Sequence, residues 1–273
     1  MDYNKFNNKV LVEDWKKYLR ELVNPSTIDV SSFELKETLH TDFWSAEKLL
    51  DQEIGDLLYD IAKDFFDSLE LDWVEIVDIT FTGSLAAFNW SKFSDIDLHI
   101  LINFKDVDEN QNLVKEYLKS ERMRWNRSHD IRIKGFEVEV YVQDAQEEHH
   151  AAGVYSILKD QWLIEPAREE FEVDWQTVQK KAASLMDRID DVYRLFEGGE
   201  YEEAESAASR LKEKIRKFRQ AGLDKGGIYS AENLAFKVLR RNGSLERLSS
   251  LRVMSYDKKM SMDETSKKNT KER

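Results

Sequence analysis

The chain has 273 residues, 41% of them hydrophobic, with a formal net charge of −13 and no cysteine. Disulfides and thiolate metal sites are excluded, no apolar run is long enough to span a bilayer, and the acidic balance argues against sequence-independent attraction to nucleic acid over the whole surface. Two prolines and ten glycines favour long helices over a loop-rich fold, and the length allows one large core or two small ones.

The first nine residues contain no apolar stretch, so no signal peptide is expected, and the absence of cysteine fits a reducing compartment. Leu11, Trp15, Tyr18, Leu19 and Leu22 fall near helical spacing and predict a helix over 10–23, broken at Pro25-Ser26-Thr27. Residues 44–70 carry a longer helical pattern through Leu49, Leu50, Ile54, Leu57, Leu58, Ile61, Phe65, Phe66 and Leu69. Residues 74–81 read as a first strand, a short helix is expected from Ser84 to about Trp90, and 95–102 reads as a second strand. A helix is expected over 107–127, then a hairpin of 130–134 and 136–143 closed near Lys134-Gly135.

From about residue 170 the character changes. Segments 172–196, 200–220, 230–241 and 244–254 are helical patterns separated by Gly198-Gly199, by Gly222 to Gly227 and by Asn242-Gly243. From Asp257 the chain is polar and lysine-rich, the composition of a disordered tail. The expected plan is an N-terminal helical extension over 1–43, an α/β (α+β) domain with a small mixed sheet over 44–168, a helical domain over 169–256 and a tail over 257–273.

The segment from Thr82 to Leu98 carries most of the chemistry. Gly83 lets backbone approach a phosphate, and Ser84 can donate from its N–H and its hydroxyl. Ten residues separate Ser84 from Asp95, and Asp95 and Asp97 flank one apolar residue, so on a strand both carboxylates face one side. Oxygen ligands presented this way suit Mg²⁺ or Mn²⁺. Two such acids without a counter-ion would repel each other. A third carboxylate is available in Phe136–Val142, where Glu137 and Glu139 share the face opposite Phe136, Val138, Val140 and Val142. Glu139 is favoured because it sits deeper in the strand.

This pattern of Gly-Ser, a spacer of about ten residues and Asp-x-Asp on a strand resembles the nucleotidyltransferase superfamily that includes DNA polymerase β, the CCA-adding enzymes and the aminoglycoside nucleotidyltransferases. The resemblance implies a polymerase β-like domain followed by helices, with Asp95, Asp97 and Glu139 holding two Mg²⁺ (or Mn²⁺) ions and acting catalytically, and with Gly83 and Ser84 binding a nucleoside triphosphate. The family often has Asp where Glu139 stands. The segments 138–144, 153–157 and 230–241 look like the nucleotidyltransferase-like proteins of large T4-like phages, which implies a bacterial or phage-infected host cytoplasm. The expected reaction moves a nucleoside monophosphate from an NTP to an acceptor hydroxyl on RNA or a tRNA end, a protein or a small molecule, and releases pyrophosphate. The alternative is a nucleotide-binding module or sensor of the same fold without turnover. A purely structural role does not need the metal cluster.

Residues 208–241 hold ten Lys/Arg against three acids, a local +7 inside an acidic protein. Lys212, Arg216 and Lys237, with Arg240 and Arg241 behind them, are expected to neutralise the triphosphate, although charge runs are usually solvated faces. His99 shares the face of Asp97 and reads equally as a neighbour of the metals or as a partly buried strand histidine. His149-His150 reads as a loop or surface pair. Trp90, Phe93, Tyr155 and Trp162 read first as packing residues and second as surfaces for a base.

Overall fold

The computed structural model describes residues 23–148, 151–168 and 171–261. The helix expected over 10–23 lies outside them up to residue 22, as do His149-His150 and the tail from residue 262. The chain divides into two compact units, one spanning residues 31–168 and the other combining 23–30 with 171–261. Among the described residues no helix is long and apolar enough to cross a membrane.

Residues 31–168 build a six-stranded mixed sheet with strands β1 (Ile76–Thr82), β2 (Ile96–Ile102), β3 (Arg132–Ile133), β4 (Phe136–Asp144), β5 (Val154–Ser156) and β6 (Gln161–Ile164). Their spatial order is β3-β4-β2-β1-β5-β6. Helices α1 (Gln52–Asp67), α2 (Phe104–Val107) and α3 (Gln111–Ser128) accompany them. Among the described residues only β2 and β4 pair in parallel, and α2 and α3 lie in the long crossover that a parallel pair requires.

The two faces of the sheet differ because side chains alternate along a strand. Ile79 and Phe81 of β1, Ile96, Leu98 and Ile100 of β2, and Val138 and Val140 of β4 are buried in one core with Ile54, Leu58, Ile61 and Phe65 of α1 and Val114 and Leu118 of α3. The opposite face carries Asp78, Thr80 and Thr82, then Asp97 and His99, then Glu139, Tyr141 and Gln143, aligned across the strands. Apolar burial of the first face therefore fixes the register that lines up the polar residues of the second.

Several expected elements shift. The helix expected from residue 44 begins at Gln52, because the Asp51 side chain accepts from Ile54 N–H (3.2 Å) and caps it. Before it, Trp44 bridges to Leu50, and Lys48 takes a positive φ of 61°. Residues 31–43 belong to the sheet-bearing unit, with Leu39 and Phe43 in its core, instead of forming a separate extension. The segment 84–90 forms turns and not a helix. Its carbonyls are taken from outside, Leu85 O by Trp44 Nε1 (2.8 Å) and Phe88 O by Lys36 N–H (2.7 Å). Leu85, Ala86, Ala87 and Phe88 are all buried, so packing decides this segment. The β3–β4 hairpin closes as expected through Lys134 and Gly135, both at positive φ (52° and 88°), the two-residue turn suited to strand twist. Strands β5 and β6 were not foreseen, being three and four residues long.

The second unit consists of α4 (Trp175–Glu197), α5 (Tyr201–Gly226), α6 (Ala231–Arg241) and α7 (Ser244–Met260). Its core gathers Leu185, Ile189, Val192, Tyr193, Ala208, Leu211, Ile215, Leu239, Leu248 and Leu251. Two corrections follow. Helix α5 runs through Gly222 to Gly226, where Gly227 (φ 64°) caps it, and α7 continues to Met260, beyond the expected start of the tail at Asp257. Gly222 is a contact point between helices: a Cβ there would lie 2.5 Å from Glu232 Cβ and 2.7 Å from Ser230 Oγ.

Candidate metal centre

The polar face of the sheet concentrates three acids at one end. Asp95 precedes β2, Asp97 is its second residue, and Glu139 lies directly across from Asp97 on β4. Each is half-buried, and one oxygen from each lies within 4.8 Å of the others, so the group could hold a metal ion. Three carboxylates at this spacing repel one another unless a cation sits among them. The all-oxygen donor set suits a hard divalent cation. Glu137, the other candidate, stands opposite Arg132 on the hairpin, 3.7 Å from its guanidinium, and is not part of the group.

Gly83 has φ +83°, and a Cβ built on it would stand 1.9 Å from Asp97 Oδ2. The backbone after β1 thus runs directly against the carboxylate of β2. The Ser84 hydroxyl is engaged with Ser94 Oγ (2.7 Å), which also accepts from Ser91 N–H (3.0 Å). That contact closes the loop between Ser84 and Asp95 and brings Gly83-Ser84 alongside the two aspartates. Ser84 accordingly sits in a turn, not at a helix N-terminus, and its hydroxyl already has a partner.

Glu139 is held by its own strand. The Tyr141 hydroxyl donates to Glu139 Oε2. Burial first, then this hydrogen bond and the neighbouring charges of Glu139 and Asp97, push the Tyr141 phenol well above its ordinary pKa. The Arg122 guanidinium lies 4.4 Å over the Tyr141 ring, and His99 stacks on it at 4.9 Å. His99 Nδ1 meets Gln143 Oε1 at 2.8 Å. Asn126 of α3 fixes the backbone between Glu139 and Tyr141: its side-chain amide donates to Val140 O (3.2 Å) and accepts from Val140 N–H (3.1 Å). It does so where β3 has ended, so the amide does for β4 what an edge strand would otherwise do. Tyr141, Asn126 and Ser94 were missed in the sequence. Only Tyr141 left a signal there, two residues beyond Glu139 on one strand face.

The remaining candidates are placed as follows. Trp90 donates from Nε1 to Thr38 O (2.9 Å) and packs on His40, while Phe93 is exposed. Tyr155 is fully buried and donates to Asp160 Oδ1, and Trp162 stacks on Trp44 at 4.6 Å, so both are packing residues. On α5, Lys212 donates to Ser249 Oγ (3.2 Å), and Arg216 forms a two-pronged ion pair with Glu213 (2.8 and 2.9 Å). That pair drives the exposed Glu213 carboxyl down to about 2. Lys237 lies on α6. No family model, no curated protein and no solved structure matches the chain.

Proposed function

We propose that the chain is a metal-dependent nucleotidyltransferase with a polymerase β-like catalytic domain. The observation that carries this reading is the meeting of Asp95, Asp97 and Glu139 within 4.8 Å beside a glycine whose backbone touches Asp97. Three oxygen donors and a backbone without a Cβ are the components needed to seat a triphosphate with its cations.

Asp95, Asp97 and Glu139 would hold the divalent ions, which when bound supply Lewis acidity at the α-phosphorus and lower the pKa of the attacking hydroxyl. The chain itself provides position. The Gly83-Ser84 backbone receives the phosphates, with the Ser84–Ser94 contact keeping that turn against β2. The Tyr141 hydroxyl donates to Glu139 Oε2 and so fixes that carboxylate on the strand. The acceptor oxygen forms the new bond to the α-phosphorus, the bond to the bridging oxygen of the β-phosphate breaks, and pyrophosphate leaves. The proton lost by the acceptor passes to a carboxylate oxygen of Glu139. The acceptor is a hydroxyl of an RNA or tRNA end, a protein or a small molecule.

The test is incubation of the protein with Mg²⁺ and each α-labelled nucleoside triphosphate, following pyrophosphate. Release in the wild type and its loss in Asp97→Asn support the proposal. Mg²⁺-dependent triphosphate binding without any pyrophosphate would leave a sensor of the same architecture.

A further inference from the structure

Helices α5 and α7 leave a groove of about 480 Å³ between them, to which α6 contributes Phe236. Ile215, Phe236, Leu245 and Leu248 supply its apolar lining, and Lys212, Arg216, Arg219 and Arg252 its charges, against one acid, Glu213. All of its residues lie between 209 and 252, so the acidic triad contributes none of them. On α5 the lining recurs at 209, 212, 216 and 219, one helical stripe spanning about 15 Å.

The charges do not cancel locally. Glu213 is occupied by Arg216 and also lies 3.5 Å from Lys217. Lys212 meets the Ser249 hydroxyl, and among the described residues neither Arg219 nor Arg252 has a carboxylate partner. Three cations thus face one groove without a counter-charge, in a chain whose net charge is −13. Arg219 is also fixed in place. Its Nε donates to Oδ1 of the buried Asn233 (3.1 Å), whose amide is anchored to Ile228 O (2.6 Å), and its guanidinium lies 4.4 Å over Phe236. A fork held on one edge presents its terminal N–H groups with little entropy left to lose, which suits a phosphate oxygen pair.

We propose that this groove is a metal-independent binding site for a phosphate ester with a flat apolar body, the chemistry of a nucleotide, and that it is distinct from the site at the acidic triad. Three unbalanced cations match a phosphate, which carries nearly two negative charges, better than a single carboxylate. The volume and the mainly apolar lining are those of a small-ligand pocket between helices.

The experiment titrates the full chain with mant-ATP in EDTA, where the triad has no metal. Saturable binding that persists in Asp97→Asn and weakens at least about tenfold in Arg252→Glu and Lys212→Glu supports the site. Both groove residues are exposed, so these variants leave the core intact. Weaker binding of mant-adenosine than of mant-ATP would support the phosphate contact. Absence of saturable binding in EDTA would overturn the proposal. So would Mg²⁺-dependent binding that Asp97→Asn abolishes and the groove variants leave unchanged. Loss in all three variants alike would make the groove part of the triad's own triphosphate site, and binding of a single-stranded RNA 12-mer through the same residues without mant-ATP saturation would assign it to a polymer. Either result also refutes the proposal, while pyrophosphate release by the wild type tests the nucleotidyltransferase reading separately.

Discussion

Gly83 and Asp97 share a space that a larger residue would deny them: a Cβ on Gly83 would stand 1.9 Å from Asp97 Oδ2. The contact joins the turn after β1 to the carboxylate of β2. Gly83→Ala must therefore either move the turn or swing the aspartate away. The φ of +83° adds strain, and the combined cost is about 1–3 kcal/mol. We expect a lower Tm, a native far-UV spectrum, and Mn²⁺ affinity reduced at least about tenfold, measured by calorimetric titration.

Asp97→Asn separates metal binding from folding. Without metal, Asp97→Asn should leave the fold intact, with a native far-UV spectrum. With Mn²⁺ at a hundred times its dissociation constant, the wild type should gain about 2.7 kcal/mol and the variant far less. Thermal unfolding with and without Mn²⁺ reads both effects, and an equal metal-induced gain in the two proteins would contradict the assignment of Asp97 as a ligand.

Asn126 is expected to hold Glu139 in register with Asp97. Asn126→Ala leaves both backbone groups of Val140 without their side-chain partner, at a cost of about 1–3 kcal/mol. Because Val140 lies between Glu139 and Tyr141, Mn²⁺ affinity should fall as well. Unfolding by urea and metal titration of the same variant would show whether the two losses go together.

The buried Tyr155 gives the fold an alkaline limit. Burial, then its hydrogen bond to Asp160, push the phenol up to about 12. In the unfolded chain it ionises near pH 10, so above that pH the unfolded state releases a proton that the folded state keeps. Stability should therefore fall as pH rises from about 10 to 12, by about 2–3 kcal/mol in total. Tyr155→Phe should lack this part of the decline, as urea denaturation across that range would reveal.

Gly222→Ala tests the helical unit against simple propensity. In an exposed helix the change would stabilise by about 1 kcal/mol. Here the new methyl would meet Glu232 Cβ at 2.5 Å, where α5 approaches the start of α6. Overpacking should win, leaving a net loss of about 1–2 kcal/mol, seen as a lower Tm.

The triad was legible because its logic is local. Asp95 and Asp97 are two apart on one strand, and Glu137 and Glu139 both stand out by alternation against Val138 and Val140. The preference for Glu139 over Glu137 rested on depth in the strand, and the pairing of Glu137 with Arg132 on the hairpin supplies the physical reason. What could not be read depends on partners distant in sequence. Residues 84–90 had a helical look, but Trp44 and Lys36 take the carbonyls of Leu85 and Phe88. Gly222 reads as a helix breaker in isolation and is a helix–helix contact in the fold. Asn126 looked like any polar residue at the end of α3, since nothing local marks it as the partner of Val140.

The parallel pairing of β2 with β4 places Asp97 beside Glu139 although 41 residues lie between them in the chain. No peptide cut from either strand would possess the whole ligand set, because the third oxygen arrives only once the crossover through α2 and α3 has formed. A chelation signal from this protein is thus also a folding signal: the affinity for Mn²⁺ should vanish with the sheet, at the same denaturant concentration and with the same cooperativity.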